Sequence, residues 1–188
     1  MSEHLWLTID CLKYIETQKD KSHALVLADP PYSNYDLINK AIIGAKKISS
    51  GACVFFMYAE DLCRLKEAAY PDQICQWLKP ISTKNTTKKY SRFFEALVIY
   101  HGEFFNQNLH WSTRVGVFTD TIITTDGHPH KKPESLIEKL ILLHLKPPFE
   151  NKTVLDLFGG SGTVEAVCRK LQVNSITCEI DPKWKQTK

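Results

Sequence analysis

Two short stretches of this 188-residue sequence carry residue types that could do chemistry together. The first is Asp29-Pro30-Pro31-Tyr32, directly after the apolar run Ala24 to Ala28. Two prolines hold the chain extended and remove two N–H donors, so backbone carbonyls and the Asp29 carboxylate face outward as fixed acceptors. Fixed acceptors suit an exocyclic amine on a nucleobase. The lone pair of such a nitrogen is delocalised into the ring, and acceptors gripping its hydrogens favour the pyramidal, nucleophilic geometry. Tyr32 adds an aromatic face on which an extruded base can stack. A Pro-Pro turn that merely leaves a strand would look the same locally.

The second stretch is Val154 to Val164, reading VLDLFGGSGTV. An apolar strand here runs into a glycine-rich turn and then a helix. Gly159, Gly160 and Gly162 let the backbone turn sharply and leave room for a ligand, while the helix start offers unpaired N–H groups. The next apolar run finishes at Glu179, which sets a carboxylate at the carboxyl end of a neighbouring strand. In open α/β sheets that position suits the two hydroxyls of a ribose. Asp156, Phe158, Gly159, Gly160, Ser161, Gly162, Thr163 and Glu179 are therefore the candidate residues for a nucleoside cofactor. A tight strand-to-helix connection with no ligand is the plainer alternative for the glycines alone.

The elements that must position these stretches alternate short β-branched runs with longer segments of helical period, the pattern of an α/β fold with a mostly parallel sheet. Strands are predicted over Ala24 to Ala28, Ala52 to Tyr58, Phe94 to Tyr100, Lys152 to Leu157 and Asn174 to Cys178. Helices are predicted over Asp36 to Ile48, Asp61 to Ala69, Pro133 to Leu145 and Gly162 to Leu171. Apolar residues at Leu37, Ile38, Ala41, Ile42, Ala45 and Ile48 form the stripe of the first of these. Val115 to Thr125 reads as one or two edge strands. The length suits one domain over residues 1–188, and no internal repeat interrupts it.

The composition, 43% hydrophobic and 24% charged, is ordinary for a globular chain and excludes disordered and fibrous classes. No apolar run reaches the roughly 20 residues a membrane span requires. Met1 to Asp10 has no basic region followed by a long apolar stretch, so no secretion signal is read and a cytoplasmic location is expected. The net charge of +3 says little by itself about a polyanionic partner. Its distribution says more, because Lys79 to Arg92 is a basic loop with no acidic residue. Lys84, Lys88, Lys89 and Arg92 are the candidates for phosphate contact, set against a merely solvated loop. Six cysteines form no CxxC pair and lie at no zinc spacing with histidine, which points to a reducing compartment and no structural metal. Cys53, Cys168 and Cys178 sit in apolar stretches and read as small buried hydrophobes.

Asp29 to Tyr32 (DPPY) followed much later by Leu155 to Thr163 (LDLFGGSGT) resembles the beta class of amino-group DNA methyltransferases, in which the catalytic motif precedes the cofactor motif. Asp10-Cys11-Leu12 resembles the short N-terminal element of that class, and His128 to Glu134 (HPHKKPE) resembles its HPxxKP element. Arg92 and Glu95 fall where the family carries a motif between hairpin strands. The resemblance implies a Rossmann-like, doubly wound sheet with circularly permuted motif order, and S-adenosylmethionine as cofactor. Asp29 and the Pro30 carbonyl would hold the amine, with Pro31 keeping the loop rigid and Tyr32 stacking on the flipped base. The methyl would pass by direct in-line displacement, with no covalent enzyme intermediate. Phe158, Gly160, Ser161 and Gly162 would shape the cofactor pocket, Glu179 would bind the ribose, Asp10 would sit near the cofactor adenine, and His128 and Lys132 would approach the methionine portion. Leu157 replaces the proline that the family commonly has there. The stretch from Glu95 to His128 is short, so a small target-recognition region over 102–127, or help from a homodimer or partner subunit, is expected. Relatives often continue into a helix where this sequence runs from Ile180 to Lys188.

Members acting on cytosine tend to carry Ser in place of the first Asp, so Asp29 favours adenine N6 as the acceptor. DNA is the expected partner. Cytosine N4 in DNA, adenine in RNA or single-stranded DNA, and a catalytically silent nucleic-acid-binding subunit of the same fold are the alternatives. Intact DPPY, the glycine turn and Glu179 argue against the silent subunit.

Overall fold

A computed structural model describes residues 2–79, 94–103, 116–121 and 131–184. Lys84, Lys88, Lys89, Arg92 and His128 lie outside the described residues, as does most of the expected target-recognition region. The chain begins with β1 (His4–Thr8), α1 (Cys11–Thr17), β2 (Leu25–Ala28), α2 (Tyr35–Ile48) and β3 (Cys53–Met57). It continues with β4 (Gln73–Leu78), β5 (Phe94–Tyr100), the short β6 (Val117–Phe118) and α3 (Glu134–His144). β7 (Thr153–Asp156), α4 (Thr163–Leu171) and β8 (Asn174–Glu179) close the described fold.

The eight strands among the described residues join one sheet in the order β1-β8-β7-β2-β3-β5-β4-β6. The run from β1 to β3 is parallel, and β5 turns antiparallel against both β3 and β4. Both faces are covered, which is why β2 and β3 are buried at every position instead of alternating. Leu25 and Leu27 of β2 pack on one face with α3 and α4, through Leu136, Leu140, Val164 and Val167. Val26 and Ala28 pack on the other with α1 and α2, through Tyr14, Ile38, Ala41 and Ile42. The sheet is thus doubly wound, as expected.

β7 lies beside β2, with Val154 opposite Leu25 and Asp156 opposite Leu27. From β7 the chain crosses through α4 to β8 on one side, and from β2 it crosses through α2 to β3 on the other. Right-handed crossovers running in opposite directions send their helices to opposite faces and open a crevice at the carboxyl ends between the two strands. Both candidate stretches emerge at that crevice.

One expectation is corrected and one strand was not foreseen. Asp61 to Ala69 is not an α-helix but two 3-10 turns, Ala59–Arg64 and Glu67–Ala69. Buried Asn39 of α2 is the reason: its side chain accepts from Lys66 N at 2.7 Å and donates to the Arg64 carbonyl at 3.4 Å. Those are backbone groups that a continuous helix would pair internally. Strand β4 was not expected, because Gln73 and Gln76 mask an alternation in which Cys75 and Trp77 point into the core. The edge strand expected within Val115 to Thr125 has only two residues among those described, and it runs parallel to β4. Among the described residues no helix is long and apolar enough to cross a membrane.

His23, 3% exposed beside Tyr14, has neither ring nitrogen hydrogen-bonded, and burial holds its pKa below the usual value of 6.5. The folded protein therefore resists a proton that the unfolded chain accepts, so this contribution to stability is present above about pH 6.5 and is lost on acidification. Denaturant midpoints measured at pH 7.5 and 5.5 are expected to fall less for His23→Leu than for wild type. An equal fall in both would refute the assignment.

Candidate active site

Local sequence places each side chain at the crevice. β2 ends at Ala28, and the prolines that follow keep Asp29 from folding back into a helix. Asn34 then caps α2 by accepting from Leu37 N at 3.1 Å. The loop between strand and helix is thereby held at both ends. Across the crevice, Asp156 ends β7 and accepts from Phe158 N at 3.0 Å, which starts the glycine turn. Gly160 and Gly162 have φ of +46° and +74°, a left-handed backbone that glycine adopts without strain. Gly159 has a different reason to be glycine: a Cβ there would meet Thr177 Cγ2 at 2.4 Å and the Trp6 ring at 3.0 Å.

Carboxylates gather along the cradle side. Glu179, at the end of β8, accepts from Gly160 N at 2.7 Å and from Asp181 N at 2.8 Å. Asp10, one strand further along, caps α1 by accepting from Leu12 N at 2.8 Å and Lys13 N at 3.2 Å. The two strand ends are tied by a hydrogen bond from Ile9 N to the Glu179 carbonyl at 3.0 Å. Each Glu179 oxygen keeps a second lone pair for a hydroxyl, and the glycine turn leaves its backbone open to close approach. This chemistry fits a nucleoside with a free ribose diol. Asp156 lies beneath the turn, and burial pushes its pKa up to about 7, aided by the charges of Asp29 and Glu179 and opposed by the Phe158 N–H. The two crevice walls are thus close enough to feel each other's charge.

On the other wall Asp29 stands in a compact polar cluster. Its Oδ1 accepts from the Tyr32 hydroxyl at 2.7 Å, and its Oδ2 from the Lys132 ammonium at 2.5 Å. Glu95, opening β5 and 4% exposed, accepts from the same Tyr32 hydroxyl at 3.0 Å and lies 3.4 Å from Lys132. Lys79 closes the cluster on the other Glu95 oxygen. Phe56 and Trp77 sit against the Lys132 ammonium, at 5.0 and 5.9 Å from ring centre to nitrogen. Burial alone would lower the Lys132 pKa, but Asp29 and Glu95 outweigh it and hold the ammonium above its usual value. Likewise, burial would raise the Glu95 pKa, but Lys132 and Lys79 bring it below the ordinary carboxylate range. Tyr32 is pushed well above the ordinary phenol value by burial and by both carboxylates, so its hydroxyl remains a donor.

The structure therefore brings Asp29, Pro30, Pro31 and Tyr32 to the same sheet edge as Asp156, the glycine turn, Glu179 and Asp10. Lys132 is found on the Asp29 side, paired with acidic groups. Glu95 carries more of the site than its sequence suggested. The available signal was a carboxylate at the head of an otherwise apolar strand. Beside Tyr32 a cleft of about 340 Å³ opens, walled by Tyr32, Tyr35 and Tyr58, with Asp61 and Arg64 at its side. Tyr32 meets Tyr58 edge-on at 4.3 Å.

A family model for N6/N4 methyltransferases, described as DNA methylase, matches residues 45–187. The chain belongs to this DNA methylase family. The type II methyltransferase M.HinfI of Haemophilus influenzae is 39% identical over 77 residues, 39% of this chain and 21% of that protein, so the match spans about a fifth of the relative's length. Among solved structures, the M1.HpyAVI–SAM complex superposes with a TM-score of 0.72 at 21% identity, covering 96% of each chain. The cytosine-N4-specific PvuII DNA methyltransferase gives a TM-score of 0.78 at 16% identity, covering 98% of this chain and 84% of that one. At such identities these likenesses speak for the fold alone, which this chain shares.

Two substitutions check the cradle. Gly159→Ala is expected to destabilise the protein by about 1–3 kcal/mol through the clash with Thr177 and Trp6; an unchanged melting temperature would refute the close fit. Asp156 has a raised pKa, so its ionisation weighs on the fold increasingly as pH climbs through about 7. Asp156→Asn keeps the acceptor for Phe158 N, and its stability relative to wild type is expected to rise between pH 5.5 and 8.5, as read from urea midpoints.

Proposed function

We propose that this protein is an S-adenosylmethionine-dependent DNA methyltransferase whose acceptor is the N6 amine of an adenine extruded from the helix. The observation that carries this reading is the pairing of β2 with β7, which sets Asp29-Pro30-Pro31-Tyr32 beside the glycine turn on one edge of the sheet. A transfer enzyme needs two pockets that open on each other, and this edge has the residues for both.

On the cofactor side, Glu179 and Asp10 accept hydrogen bonds from the nucleoside, Phe158 offers an apolar face, and Gly159 to Thr163 admit the ligand to the backbone. S-adenosylmethionine supplies an electrophilic methyl group on a sulfonium. On the base side, Asp29 and the Pro30 carbonyl accept the two amine hydrogens, which turns the nitrogen lone pair away from the ring and localises it. Asp29 is also the group beside the nitrogen that receives the proton shed as the new bond forms. Tyr32 and Tyr58 offer aromatic surface to the base, and the cleft of about 340 Å³ that opens beside them has room for one. A carboxylate in place of a serine at position 29 supports adenine. A cytosine acceptor is the second reading, because the fold is shared with an enzyme specific for cytosine N4.

Duplex DNA, single-stranded DNA and RNA incubated with methyl-labelled cofactor and then digested to nucleosides test the reading. Labelled N6-methyladenine from DNA is the expected product. N4-methylcytosine would overturn the choice of base, and absence of label in any nucleic acid would overturn the enzyme. Asp29→Ala is expected to lower turnover by about 100-fold or more while calorimetric binding of the demethylated cofactor persists. Unimpaired turnover would refute the role of Asp29.

A further inference from the structure

Among the described residues, every side-chain donor on Asp29 is shared with Glu95. The Tyr32 hydroxyl lies 2.7 Å from Asp29 and 3.0 Å from Glu95, and the Lys132 ammonium 2.5 Å and 3.4 Å from the same two groups. A phenol has one proton, so Tyr32 satisfies one carboxylate fully at a time. Asp29 is the less buried of the pair, its side chain 27% exposed against 5% for Glu95, and it faces the crevice. With both oxygens engaged, Asp29 as it stands offers an incoming amine only its remaining lone pairs.

Resting on the reading of Asp29 given above, we propose that Glu95 is a positioning residue for methyl transfer. It receives the Lys132 ammonium and the Tyr32 hydroxyl when the substrate amine takes over Asp29. The exchange is short, and neither donor has to pass through an unpaired state. That matters because Lys132 has only 9% of its side chain exposed, and an unpaired ammonium at such depth is strongly disfavoured. Charge bookkeeping favours the same role. Among the described residues the cluster holds Asp29, Glu95, Lys79 and Lys132, whose charges sum to zero, so a neutral base enters a balanced cluster, and Asp29 is free to stabilise the positive charge that grows on the amine. Without the Glu95 charge, Lys132 and Lys79 leave an excess positive charge, and Lys132 has Asp29 as its sole carboxylate among the described residues. The amine would then compete with an ammonium for the same oxygen.

Wild type, Glu95→Gln and Glu95→Asp are compared in single-turnover methyl transfer at saturating cofactor and DNA. Calorimetric affinities for the demethylated cofactor and for DNA are measured alongside. Glu95→Gln is expected to slow the transfer step about tenfold or more, the scale of one lost charge-assisted hydrogen bond, with both affinities within threefold of wild type. Glu95→Asp, which keeps the charge, is expected to be faster than Glu95→Gln. A Glu95→Gln transfer rate within twofold of wild type would overturn the proposal. So would equal rates for the two variants, or a loss matched by weakened binding of both ligands. A wild type that binds cofactor and DNA yet methylates no base would overturn the underlying reading as well.

Discussion

Parallel pairing of β2 with β7 is the constraint on which the rest depends. The two strands are about 125 residues apart in sequence and meet in the centre of the sheet, with Leu27 opposite Asp156. Their crossovers leave in opposite directions, so neither α2 nor α4 covers the edge between them. Everything with chemical potential is mounted on that uncovered edge: a rigid acidic loop after one strand, a glycine cradle after the other, and Glu179 and Asp10 on the next two strand ends. Burial of both faces fixes the strand register, since a one-residue slip would exchange the core faces of β2 and move Asp29 off the crevice.

Electrostatics makes the two walls of this crevice unlike each other. The cradle wall is acidic, with Asp156, Glu179 and Asp10 held largely by backbone N–H groups. Such a wall suits a ligand that brings hydroxyls, an amine or a positive charge. The wall that carries Asp29 is balanced among the described residues, with two carboxylates against two lysines in a setting lined by Phe56 and Trp77. Low local polarity strengthens each interaction there and raises the cost of leaving any member unpaired. Lys132 arrives from the far side of the chain, just before α3, so packing of that helix against α4 and into the core of that face also sets the electrostatics of Asp29.

The fold was legible where period and composition agree. Ala24 to Ala28 and Ala52 to Tyr58 are continuous apolar runs, and they are the buried central strands β2 and β3. Legibility failed where a tertiary partner overrode local preference. The 3-10 turns after β3 exist because Asn39 of α2 takes up the backbone of Arg64 and Lys66. β4 was hidden because an edge-side strand with one solvated face keeps only two core residues, Cys75 and Trp77. In the site, the motif residues could be named from the chain, but the weight of Glu95 could not. A glutamate at a strand start has no distinguishing spacing, and its meaning comes from three partners, Tyr32, Lys79 and Lys132, that only folding assembles.

By itself the sequence determined which residues are capable of chemistry. Proline geometry makes Asp29 a fixed acceptor, glycine geometry opens the turn at Gly160 and Gly162, and these are local properties of φ and donor count. Tertiary structure decided how those capabilities combine. Which strand lies beside which, whether two crevices share an edge, and which lysine neutralises which buried carboxylate all depend on through-space distances between distant segments. Local backbone preferences do not encode those distances, and burial then converts them into the electrostatics of the site.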